Sequence, residues 1–180
     1  NNNNAENEST TSGVINYISE TALTQSVVGD TEDDYPVYEY ELSQPLKSAS
    51  ICVYEKENEW EKQIISYEDD IYSHGQIAIV LGDETYDIYL IHSETENNII
   101  KYNFSQHYLE SLNSNKVMFA NTLDNKKIEP NEEIVLFTVL GKKDNPIDPP
   151  NPENFTKENC DYGIEVTITF HDTKQAPRSE

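Results

Sequence analysis

The chain has 180 residues, with 34 Asp and Glu set against 12 Lys and Arg, and a formal net charge of −22. A protein that holds phosphate backbones must neutralise them with Lys and Arg; Arg178 is the only arginine here, so nucleic acid is not an expected partner. The same field repels anionic lipid headgroups and wall polymers unless a divalent cation bridges them, while cationic ligands and metal ions remain compatible with it. No stretch approaches the roughly 20 apolar residues of a membrane span; the longest runs, Ile77–Leu81 and Ile134–Leu140, are the length of strands.

The elements follow in chain order. Residues 1–13 (NNNNAENESTTSG) hold a single apolar side chain, Ala5, and read as a flexible tether, since they cannot bury enough surface to offset the entropy of ordering them. The chain starts at Asn1, and a secretory signal is one candidate for a processed upstream segment. Residues 14–34 form an ambiguous lead-in: Ile15, Ile18 and Ala22 have helical spacing, while Thr21, Thr24, Val27 and Val28 favour strand. From Tyr35 the apolar period is two. Val37–Leu42 reads as a half-buried strand, and Ser48–Glu55 and Glu59–Ile65 flank a turn at Lys56-Glu57-Asn58. Gln76–Leu81 is apolar on both faces, and so central, and returns through Gly82-Asp83-Glu84 into Thr85–Ile91.

Asn98–Phe104 is a further strand, and Ser105–Leu112 is a short helix capped by Ser105 with Tyr108, Leu109 and Leu112 on one face. Strands Lys116–Ala120 and Glu133–Leu140 follow. The proline-rich run 144–155 excludes helix and central strand and reads as a crossing to another edge or sheet. Gly163–Phe170 closes the pattern, with Ile164, Val166, Ile168 and Phe170 inward and Glu165, Thr167 and Thr169 outward. The sum is an all-β chain: an antiparallel sandwich or barrel, the sandwich preferred, of about eight strands with at most one short helix. It is expected as one domain over 35–173, followed by a polar tail at 174–180.

Motifs of catalysis are missing from this sequence. His74, His92, His107 and His171 are scattered without HExxH or HxH spacing, and GxSxG, GxGxxG and CxxC do not occur. Thirty-four carboxylates make close pairs inevitable, so pairing alone carries no acid–base signal. Cys52 and Cys160 lie far apart in sequence, and a bridge between them would close a long loop worth about 4–5 kcal/mol; buried or partly exposed free thiols are the alternative. Acidic clusters recur, and Asp69, Asp70, Asp83, Glu84 and Asp87 are candidate calcium ligands, although no spaced DxDxDG loop is present and a solvated surface explains the same residues. Among the aromatics, Tyr38, Tyr40, Trp60 and Tyr86 fall on the apolar side of their strands and are expected in the core. Tyr67, Tyr72 and Tyr89 are less explained and are the candidate ligand-binding rings.

Abundant Asn, Ile and Lys, near absence of Arg, a polar Asn-rich start, and the phrases LSQPLKSASICVYEKENEWEK, EPNEEIVLFTVLG and DYGIEVTITFHD together resemble small secreted lipoproteins of low-GC Gram-positive bacteria. The resemblance spans most of Tyr35–Asp172 and implies location rather than chemistry: a lipid-anchored precursor outside the cytoplasm, on a polar tether. The expected function is a monomeric, non-enzymatic binding or interaction module whose partner is a protein or glycan at the cell envelope. Carbohydrate binding through exposed aromatics is the second expectation, and a hydrolase the third. An exposed sheet edge or apolar patch would mark the first, coplanar exposed rings the second, and a cleft of convergent titratable groups the third.

Overall fold

The computed structural model describes residues 11–113, 117–143 and 156–174. The proline-rich crossing over 144–155, and most of the tether expected over 1–13 and of the tail expected over 174–180, lie outside the described residues; at the end of the tether the structure differs, since Ser12 is buried with its amide donating to Ile128 O at 2.7 Å and Gly13 opens the first strand. Within them the chain is an antiparallel β-sandwich. One sheet has six strands in the order β7-β6-β5-β2-β1-β9 and the other five in the order β4-β3-β11-β10-β8. Their ranges are β1 Gly13–Ile18, β2 Val37–Leu42, β3 Ser48–Lys56, β4 Trp60–Asp69, β5 His74–Leu81, β6 Thr85–Ile91, β7 Asn97–Asn103, β8 Val117–Thr122, β9 Asn125–Ile128, β10 Glu133–Lys142 and β11 Tyr162–His171.

Alternation places Ile15, Tyr38, Tyr40, Ile77, Ile79 and Ile88 from one sheet against Ile51, Val53, Ile134, Ile164, Val166 and Phe170 from the other. Each fully buried isoleucine contributes roughly 2 kcal/mol by removing its surface from water. Aromatic contacts join the layers, with the Tyr40 and Phe170 ring centroids 5.0 Å apart and those of Tyr86 and Phe137 5.9 Å apart.

The structure differs from the sequence expectation at the N-terminal end. Residues 14–34, read as a lead-in, are integral: β1 pairs with β2 on one side and β9 on the other, and Ile15 is fully buried. A second short helix, α1 (Ala22–Val28), follows. Thr21 caps it, exchanging hydrogen bonds with Thr24 in a capping box, and Gly29 ends it at φ 77°. Helix α1 covers part of the outer face of the six-stranded sheet, where Val28 joins Tyr35, Val37, Ala78 and Val80.

Helix α2 (Gln106–Asn113) begins as its sequence suggests, with the Tyr108 amide donating to Ser105 Oγ at 3.1 Å. Tyr108 is buried, and Leu109 and Leu112 pack against the core. β11 is the middle strand of its sheet, and its outward row is buried as well. Glu165, Thr167 and Thr169 are only 4%, 0% and 8% exposed, flanked on both sides by β3 and β10, with Tyr54 opposite Glu165 and Glu133 accepting from Thr167. The charged member is satisfied there: Thr138 donates to Glu165 Oε2 at 3.2 Å and Lys157 Nζ to Oε1 at 3.0 Å.

Candidate functional site

The two sheets end on the same side of the sandwich at β4 and β7. There the core gives way to polar residues, since β4 turns Glu61, Gln63 and Glu68 inward and packs only Ile65 against the core. Hydrogen bonds stitch this side together. Asn98 Nδ2 on β7 donates to Glu68 Oε1 on β4 at 3.4 Å, and the hydroxyls of Tyr102 and Ser105 both donate to the Glu55 carboxylate on β3. Burial, with the adjoining Glu55 carboxylate, pushes the Tyr102 phenol well above its ordinary value of 10.0.

Two clefts flank the stitch. One is lined by Glu55, Glu57, Glu61, Lys62, Tyr102 and Ser105, among others. The other is lined by Glu68, Asp70, Ile71, Tyr72, His92 and Glu96, among others; here the Tyr72 and His92 rings stack, with centroids 4.1 Å apart and planes 32° apart. Between the clefts runs β7. Hydrogen bonds from Phe104 N to Glu84 O (2.9 Å) and from His92 N to Glu96 O (2.9 Å) fix the phase of the β6–β7 ladder at both ends. Asn98, Ile100 and Tyr102 therefore exchange their backbone bonds with β6. Asn97, Ile99, Lys101 and Asn103 turn N–H and C=O outward, where no strand pairs with them among the described residues. Ile99 is also 44% exposed.

The outer face of the five-stranded sheet is a second polar surface. Tyr54 hydroxyl donates to Glu133 at 2.7 Å, Thr167 Oγ1 donates to Glu133 Oε2 at 2.9 Å, and Lys62 Nζ lies 3.5 Å from Glu133 Oε2. Partial burial alone would raise the Glu133 carboxyl, but the bonds from Tyr54 and Thr167 and the Lys62 charge outweigh it and hold the group below 4.5. Lys62 lies 5.5 Å from the Tyr54 ring centre and Lys157 lies 5.3 Å from that of Trp60. Each lysine is also paired to a glutamate, so this face satisfies its own charges.

The residues singled out from the sequence are spread over the molecule. Tyr72 with Asp69 and Asp70 lines the second cleft, and Lys174 pairs with Asp70 at 3.1 Å. Tyr67 is half-buried on β4 opposite Ser50, and Tyr89 packs against Tyr35, Val37, Ala78 and Val80 on the other sheet. The three candidate rings thus do not form one platform. Asp83, Glu84 and Asp87 lie at the β5–β6 turn, the opposite end of that hairpin from Asp69 and Asp70. Asp87 is held by Thr85 at 2.9 Å and Lys101 at 3.6 Å. The five acids therefore do not make one calcium site, and among the described residues no three His, Cys, Asp or Glu side chains converge to hold a metal ion.

Cys52 and Cys160 are buried free thiols, not a bridge: Cys52 sits mid-sheet opposite Thr167, whereas Cys160 packs at the sheet's end with Leu140, Trp60 and Phe119. Burial pushes both thiols up from 9.0, away from the thiolate a nucleophile needs. Tyr38, Tyr40 and Tyr86 are in the core, but Trp60 is not. It lies on the outer face, its Nε1 donating to Lys157 O at 2.9 Å. The open β7 edge and Ile99 were not identified from the sequence. The doublet Ile99-Ile100 was the available signal, because in a strand only one of two adjacent isoleucines can face the core.

No family model, no curated protein and no solved structure matches this chain.

Proposed function

We propose that this chain is a protein-interaction module of the cell envelope, extracytoplasmic and lipid-anchored in its precursor, with the β7 side of the sandwich as its docking surface. The observation that carries the reading is the edge of β7, which no strand pairs among the described residues, with Ile99 exposed beside it, since an open edge is the feature a protein partner completes. Glycan binding fits less well. A sugar platform needs exposed, coplanar rings, and here Tyr67, Tyr72 and Tyr89 stand on different surfaces, while lysines lie over Tyr54 and Trp60. The location rests on the resemblance of the sequence to secreted lipoproteins.

The test is to immobilise the chain and measure its binding to an envelope fraction before and after two treatments. Binding that is lost when the fraction is digested with protease, and kept after muramidase, is the expected result. The reverse pattern overturns the reading in favour of a glycan ligand.

A further inference from the structure

Resting on that reading, we infer that the partner docks as an extended, lysine- or arginine-bearing segment that adds to β7 as a further antiparallel or parallel strand of the six-stranded sheet.

Natural sheets blunt their edges with short strands, bulges, prolines or charges, because an open edge templates pairing with any other chain. Two of the other three edges fit that rule. β9 is only four residues long and carries Lys126 and Lys127; β4 is interrupted by a bulge where its register with β3 shifts at Ile51/Cys52. The third, β8, runs for six residues in unbroken register with β10 and without proline, so it too is open among the described residues. β7 is the longer open edge, and its single charge, Lys101, is drawn to Asp87 on β6. It runs for seven residues in unbroken register with β6, without proline, and offers the backbone groups of Asn97, Ile99, Lys101 and Asn103 to solvent.

Charge selects the occupant. A strand added beyond β7 alternates its side chains between the outer face, beside Ile99, and the gap facing β4. On the gap side it meets Glu57 and Glu61 at one end and Glu68 and Glu96 at the other. The nearby lysines offset these carboxylates only in part: Lys101 reaches Asp87 on the outer face, and Lys62, which also lines the first cleft, reaches Glu133. A second copy of this chain is the alternative strand donor, but two molecules each carrying −22 repel. The segment that fits has basic residues at every second position and small apolar or β-branched residues between them.

The experiment uses the full chain and an amide-capped peptide of the length of β7, alternating lysine with valine, together with the same peptide carrying glutamate for lysine. Two readouts are taken: affinity by fluorescence anisotropy, and amide hydrogen exchange resolved by residue. The lysine peptide is expected to bind and the glutamate peptide not to. Exchange at the Ile99 and Lys101 amides should slow about tenfold or more on binding, because those N–H groups acquire acceptors.

Ile99→Pro removes an outward N–H without touching the β6 ladder, and should weaken the peptide about tenfold or more with the thermal midpoint little changed. Ile99→Lys keeps the N–H and serves as a second variant, lowering affinity by adding a positive charge and removing the apolar side chain beside the added strand. The inference is overturned if the peptide binds without protecting Ile99 and Lys101, if Ile99→Pro folds and binds as the parent does, or if the glutamate peptide binds equally. It is overturned alone, with the interaction module surviving, if envelope binding is protease-sensitive yet indifferent to Ile99→Pro; muramidase-sensitive binding removes both.

Discussion

Tyr38 and Tyr162 are both fully buried and have opposite hydrogen-bond environments. Tyr38 hydroxyl donates to Leu136 O at 2.8 Å and contacts the Thr122 hydroxyl, while Tyr162 hydroxyl has no partner among the described residues. Tyr38→Phe strips a buried carbonyl of its donor and should cost about 1–2 kcal/mol, whereas Tyr162→Phe removes an unpaired polar atom and should be neutral or stabilise by about 1 kcal/mol. Urea unfolding of both variants checks this, and equal losses would contradict it. Acid sensitivity is set residue by residue too. Glu133 has its carboxyl held below 4.5 in the folded chain, so its contribution is complete above that value and disappears as pH falls through the folded pKa. Glu133→Gln should therefore be less stable than the parent at neutral pH, with the gap closing below about pH 4.5; a gap independent of pH would refute the assignment. His171 is shifted down from 6.5, chiefly by burial, so its share of stability also falls away as pH drops below that value.

The elements that were legible in the sequence are those whose residues contain the answer locally. Gln76–Leu81 and Thr85–Ile91 declare themselves by an apolar run, a short turn and a clean alternation, and they form the β5–β6 hairpin in register from Gln76↔Ile91 to Leu81↔Tyr86. β1 and β9 were not legible. GVINYI carries both helical and strand spacing, and NKKI has one apolar residue; what makes them strands is pairing with each other and with β2, which is long-range in the chain. Trp60 misled for a related reason. Its parity on β4 was correct, but which face is the core depends on the bulge and on the sheet above. The consequence is testable at this scale: a chain beginning at Tyr35, where the sequence alone places the start of the domain, lacks β1 and leaves β9 and the outer flank of β2 unpaired. It should lose its cooperative thermal transition. A transition within a few degrees of the parent would show that β1 is an accessory strand.

At the level of the whole molecule, a net charge of −22 is held together by a dry core and locally paired lysines. Self-repulsion of this size is screened by salt, since the Debye length falls to roughly 8 Å at physiological ionic strength. The thermal midpoint should accordingly rise with added sodium chloride up to several hundred millimolar, and a flat response would mean that repulsion is already offset by pairing. The candidate site was only partly legible because it is a property of sheet order: Ile99 and Glu68 become neighbours of one open side only once β2–β5 and β11–β3 have paired. That side is the proposed docking surface. The measurement that tests it most directly is site-specific photo-crosslinking to the envelope fraction from position 99, compared with position 118 on the opposite edge, where Met118 is equally exposed at 43%. The account predicts polypeptide adducts from position 99 and few from 118; adducts from 118 alone, or glycan adducts from either position, would contradict it.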